Sequence, residues 1–83
     1  MKNTVTIILR IHKRKKEIDL EVPMSISAND LLIALNQAYD LNIKVEDVKN
    51  CYLKIENPIG FIKGNKTLSE LGIRNGTIIN ITE

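Results

Sequence analysis

The sequence predicts an α+β domain of two layers, one sheet of four or five strands covered on one face by one helix. Two kinds of periodicity and the chain length predict it. Several stretches alternate aliphatic and polar residues with the period of two that a half-buried strand needs. One stretch near Ala28 to Leu41 instead places apolar residues at spacings of three and four, the stripe of an amphipathic helix. At 83 residues the chain can build one core. Helix and sheet therefore have each other against which to bury their apolar sides, in a single domain spanning residues 1–83.

The first strand is Val5 to Ile11, rich in β-branched residues, with Val5, Ile7, Leu9 and Ile11 on one face and Thr6, Ile8 and Arg10 on the other. Glu17 to Val22 alternates acidic and aliphatic residues until Pro23 ends it. The polar run between these strands is short enough for a hairpin. If Leu9 opposes Ile18, Arg10 faces Glu17 as a favourable cross-strand pair. Ser27 stands at the N-cap of the helix, with Asp30 in the first turn where a carboxylate suits the helix dipole. Ala28, Leu31, Leu32, Leu35, Ala38 and Tyr39 form its apolar stripe, Leu31 and Leu35 deepest, while Asn29, Asn36, Gln37 and Asp40 face water.

Residues 42–50 read as a polar connection anchored by Ile43, Val45 and Val48. Tyr52 to Glu56 alternates as a third strand, Asn57-Pro58-Ile59-Gly60 carries turn chemistry, and Phe61 to Lys63 is a short edge strand. Thr67 to Ile73 forms one helical turn that buries Leu68, Leu71 and Ile73. Asn75-Gly76 supplies a turn able to take positive φ. Thr77 to Thr82 is the last strand, with Ile79 and Ile81 on one face and Ile78 and Asn80 on the other.

Apolar residues make up 43% of the chain and charged residues 27%, a globular balance. The formal charge of +2 is too small to imply nucleic acid or membrane by itself. Cys51 is the single cysteine, so it has no internal disulfide partner and fits a reducing compartment, and it reads as a small buried hydrophobe. With no membrane-length apolar run and no signal-peptide pattern, the expectation is a cytoplasmic protein with no membrane insertion.

The element order, with Leu68, Leu71 and Ile73 followed by Asn75-Gly76 and then Ile79 and Ile81, resembles the ubiquitin-like β-grasp superfamily across nearly the whole chain. Within it the sequence is most similar to the YukD/EsaB group, small ubiquitin-like proteins associated with type VII (WXG100) secretion in Gram-positive bacteria. The resemblance implies a mixed sheet whose first and last strands lie parallel in its middle, with the helix crossing beneath. It also implies a non-enzymatic interaction module whose partner is a protein, a secretion-machine component or a regulator.

Members of the superfamily that act as conjugates or sulfur carriers use a flexible C-terminal Gly-Gly, because the tail threads a narrow enzyme channel where side chains clash. This sequence ends Asn80-Ile81-Thr82-Glu83, so covalent attachment is not expected. On the superfamily template Lys54 stands where ubiquitin has its central patch isoleucine, and Thr82 where it has a flanking valine. A lysine in place of an apolar anchor removes recognition by ordinary ubiquitin receptors. The candidate protein-binding residues are Ile8, Arg10, Lys54 and Ile78, on the open face of the sheet, the simpler reading of Ile8 and Ile78 being that neighbouring side chains cover them or that they are isolated exposed apolar residues.

The sharpest local charge feature is His12-Lys13-Arg14-Lys15-Lys16 on the hairpin tip. Lys13, Arg14, Lys15 and Lys16 form a basic knob suited to RNA, an anionic lipid surface or an acidic protein groove. No aromatic platform for bases adjoins it, and Glu17, Asp19 and Glu21 cancel much of its field. A solvated loop is the simpler reading, and an acidic protein is the preferred partner over nucleic acid. His12 and Cys51 are each the only residue of their kind, so neither a zinc site nor a Cys-His pair can be assembled from the usual ligands. Glu46-Asp47 reads as solvated loop, and Gly60, Gly64, Gly72 and Gly76 are scattered at turns, not gathered around a phosphate. No cofactor and no small-molecule substrate is expected. Two alternatives stay in view: a covalent ubiquitin-like or sulfur carrier, and a small nucleic-acid-binding domain using the basic hairpin.

Overall fold

The computed structural model describes residues 3–43 and 52–81. Its elements are β1 (Thr4–Ile11), β2 (Lys16–Pro23), α1 (Ala28–Tyr39), β3 (Leu53–Glu56), β4 (Gly60–Ile62) and β5 (Ile78–Ile81). The strands form one mixed sheet in the order β2-β1-β5-β3-β4. β1 and β5 are parallel neighbours with Leu9 beside Ile79, and the other pairings are antiparallel. This is the ubiquitin-like β-grasp arrangement, with the middle of the sheet filled by strands from opposite ends of the described chain.

The hairpin register follows from alternation. Leu9 opposes Ile18 and Arg10 opposes Glu17, because any one-residue slip would turn the aliphatic set of β2 toward water. Ile7, Leu9, Ile11 and Ile79 point from the sheet into the core, where they meet Leu31 and Leu35 of α1 and Leu68 of the turn that follows β4; all seven are almost completely buried. β2 runs one residue further at each end than its alternation suggests, with Pro23 as its last rung on the sheet edge, where a missing N–H is tolerated.

α1 begins as expected, the Ser27 hydroxyl accepting the Asp30 N–H at 3.0 Å. It ends earlier, at Tyr39, because Asp40 takes a left-handed conformation with φ 51° and donates its N–H to the Asn36 carbonyl. That reversal returns Leu41 to the core, while Ala38, expected in the stripe, is exposed. Asn36 and Asn29, expected in water, are half-buried for specific reasons. The Asn36 amide donates to the Ile43 carbonyl at 2.7 Å and accepts its N–H at 3.0 Å, closing the loop after the helix. Asn29 accepts the Gly64 N–H at 3.1 Å. Val45, Glu46, Asp47, Val48, Cys51, Thr82 and Glu83 lie outside the described residues.

Leu68 and Ile73 are buried by the turn from Thr67, while Leu71 is only partly covered. Thr67 and Glu70 cap this turn reciprocally. The Thr67 hydroxyl accepts the Glu70 N–H, and the Glu70 carboxylate accepts both the N–H and the hydroxyl of Thr67. These bonds, first the one from the Thr67 N–H, hold the Glu70 carboxyl below its ordinary value, with help from the charge of Lys66. Gly76 takes φ 88° and donates its N–H to the Thr6 carbonyl at 2.9 Å, while the Asn75 side chain accepts the Thr6 N–H. The chain is thereby set into register beside β1 before β5 begins.

Candidate protein-docking face

Opposite α1, the sheet has an open face whose side chains fall in rows fixed by the strand registers. One row runs Glu17, Arg10, Asn80, Lys54, Phe61, and the next runs Asp19, Ile8, Ile78, Glu56. The four residues singled out from sequence, Ile8, Arg10, Lys54 and Ile78, therefore stand together on this face. Ile8 and Ile78 are direct neighbours across the parallel ladder, each half-buried.

The middle of the face is a polar lattice. Arg10 bridges two carboxylates, with its Nε 2.7 Å from Glu17 and its Nη1 3.1 Å from Glu56. The same Glu56 oxygen accepts Asn80 Nδ2 at 3.0 Å, and Nδ2 also reaches the Lys54 carbonyl at 3.2 Å. Because the Asn80 amide nitrogen spends its protons there, its oxygen is the acceptor left for His12. The His12 Nε2 therefore donates to it, across 2.8 Å. These contacts leave Asn80 only 5% exposed although it lies on the solvent side of the sheet. Arg10, expected to meet a partner, also holds Glu17 and Glu56 in place through these two bridges. Among the described residues Lys54 has no ion-pair partner.

The basic hairpin is not a uniform knob. Arg14 folds back onto the C-terminus of α1, its guanidinium donating to the Tyr39 carbonyl at 2.6 Å and the Asp40 carbonyl at 2.8 Å. Those carbonyls lack partners inside the helix and sit at its negative end, so a cation is favoured there. Lys13, Lys15 and Lys16 remain exposed, and the loop closes with the Lys15 N–H bonded to the His12 carbonyl. Among the described residues, no group of three His, Cys, Asp or Glu side chains is placed to hold a metal ion. No helix among them is long and apolar enough to cross a membrane.

Sequence reasoning missed one surface feature. Tyr52 and Phe61 stand at the β3–β4 edge of the open face, 61% and 68% exposed, with ring centroids 6.1 Å apart and planes at 76°. Lys63 lies over the Tyr52 ring, its Nζ 4.6 Å from the centroid and 3.3 Å from the hydroxyl. The available signal was parity: Tyr52 shares the face of Lys54 by alternation, and a hairpin around Asn57-Pro58 puts Phe61 opposite Lys54.

A five-stranded mixed sheet gripping one helix, with the first and last strands paired at its centre, defines a ubiquitin-like protein. Solved structures agree on the fold. The ubiquitin-like domain of tubulin-binding cofactor B is similar at 20% identity over 96% of this chain and 89% of its own, with a TM-score of 0.75. A de novo design based on ubiquitin matches at 12% identity over 99% and 90%, TM-score 0.69. The C-terminal ubiquitin-like domain of mouse tubulin-specific chaperone e matches at 13% over 99% and 90%, TM-score 0.66. No curated protein sequence matches closely enough to add to these. Residues 4–81 match the family described as WXG100 protein secretion system (Wss), protein YukD, and the chain belongs to that family.

Proposed function

We propose that the protein is a non-catalytic, cytoplasmic accessory or regulatory component of a type VII secretion system, working by docking onto a protein partner and not by covalent attachment. The observation that carries this reading is the family match, which spans every strand and the helix. One feature supports it: the open face offers charged and apolar side chains at fixed spacing, which suits recognition by shape and charge. The nucleic-acid alternative is weakened because Arg14, one of the four hairpin cations, is spent on the helix terminus.

The test is native purification from a secreting cell, with quantitative mass spectrometry of what co-purifies and intact-mass measurement of the bait. Recovery of secretion-system components with the bait at its encoded mass is the expected result. Recovery of no such component from membrane and cytosol fractions alike, or a bait carrying a covalent adduct, overturns it.

A further inference from the structure

Within that reading, which this inference rests on, we infer that the β3–β4 edge of the open face is the docking surface, and that its occupant is an acidic segment of a partner protein carrying a large apolar side chain. Three observations lead there. Large apolar side chains exposed among the described residues are Tyr52, Ile59 and Phe61, all on or around the β3–β4 hairpin. They are rimmed by cations: Lys54 is the cross-strand neighbour of Phe61 and shares a shallow depression with Ile59, while Lys63 lies over Tyr52. The carboxylate that shares this depression, Glu56, already accepts from Arg10 and Asn80 and is partly neutralised by them, whereas Lys54 has no ion-pair partner among the described residues.

The sheet is therefore electrically lopsided. Glu17, Asp19 and Glu21 are exposed on β2 at one edge, and Lys54 and Lys63 are exposed at the other. Aromatic anchors ringed by cations fit a segment whose carboxylates flank an apolar residue: burial of the anchor supplies affinity, and the charges set orientation and choice of partner. Single-stranded nucleic acid is the poorer fit, because it stacks bases on open ring faces. Here Lys63 covers one face of Tyr52, and the two rings meet edge to face instead of forming parallel shelves.

The probe is a random peptide library panned on the purified protein, its Phe61→Ala variant, and a charge-swapped Lys54→Glu/Lys63→Glu variant. Circular dichroism and thermal unfolding check that each variant folds, which is expected since all three positions are exposed. Wild-type protein should enrich peptides with carboxylates beside a large apolar residue. Phe61→Ala should weaken the best of them by about tenfold or more. The charge-swapped variant should reject them and select basic peptides instead.

The inference is overturned if no acidic enrichment appears or if the variants select the same peptides as wild type. It also falls if a single-stranded oligouridine binds as tightly as the best peptide, or if the protein self-associates through this edge and the acidic β2 of a second copy. Native purification with the same variants separates this claim from the proposed function. Should they recover secretion components as well as wild type does, the function stands and this surface is wrong.

Discussion

Thr77 is completely buried, and its hydroxyl ties two turns together: it donates to the Asn57 carbonyl at 2.7 Å and accepts the Arg74 N–H at 3.0 Å. Thr77→Val keeps the shape and removes both bonds, so the change isolates the hydroxyl from packing. Each bond contributes roughly 0.5–1.5 kcal/mol net. Asn57 and Arg74 are themselves exposed, which lets their backbone groups recover some of the loss through water. The expected destabilisation is therefore about 1–2 kcal/mol, the lower portion of the summed range. At this chain length each kcal/mol lowers Tm by about 4–8 °C. The assay is urea unfolding with thermal melting as a cross-check, on wild type, Thr77→Val and Thr77→Ser. The serine variant keeps the hydroxyl and loses one methyl, for about 1 kcal/mol. A valine variant as stable as wild type would refute the view that this hydroxyl holds the β3–β4 turn to the start of β5.

Arg14→Ala should destabilise by about 1 kcal/mol, since two carbonyls at the negative end of α1 lose a charged donor. Lys13→Ala and Lys16→Ala should stay within about 0.5 kcal/mol, so equal effects at all three positions in denaturant titrations would count against the helix cap. Leu31→Ala opens a cavity under the sheet and should lose about 2–5 kcal/mol, measured in the same way. The folded-state pKa of Glu70 lies below its ordinary value of 4.5. The unfolded chain therefore binds the proton first as pH falls, so the contribution of Glu70 is full above that value and is lost as pH drops through the lowered pKa. Acid unfolding of Glu70→Gln beside wild type should show the variant's stability changing less across that window.

The elements themselves were legible because each carries its period locally: Val5 to Ile11 alternates, Leu31, Leu32 and Leu35 repeat at helical spacing, and Ser27 marks a start. The register of β1 with β2 was legible too, since only one phase buries Ile18 and Leu20. What escaped the sequence depends on residues far apart in the chain. Arg14 finds the helix terminus across 25 and 26 residues. Asn80 looks like an exposed polar residue until Arg10, His12 and Glu56 converge on it from two other strands and a loop. Asp40 ends the helix early because its backbone adopts a left-handed turn that polar residues tolerate but do not demand. The aromatic corner is the same kind of case. Neither Tyr52 nor Phe61 reads as unusual in its own strand, and only their pairing exposes them as one surface.

The parallel pairing of β1 with β5 governs how the fold responds to mechanical force. Pulled at Thr4 and at Ile81, the two adjacent strands slide along each other, so the slanted bonds of their ladder resist in shear and share the load. A hairpin such as β1 with β2, pulled from its open end, would instead unzip rung by rung. Force applied between the first and last strands therefore loads every rung of this ladder at once, which makes it the mechanical clamp of the fold.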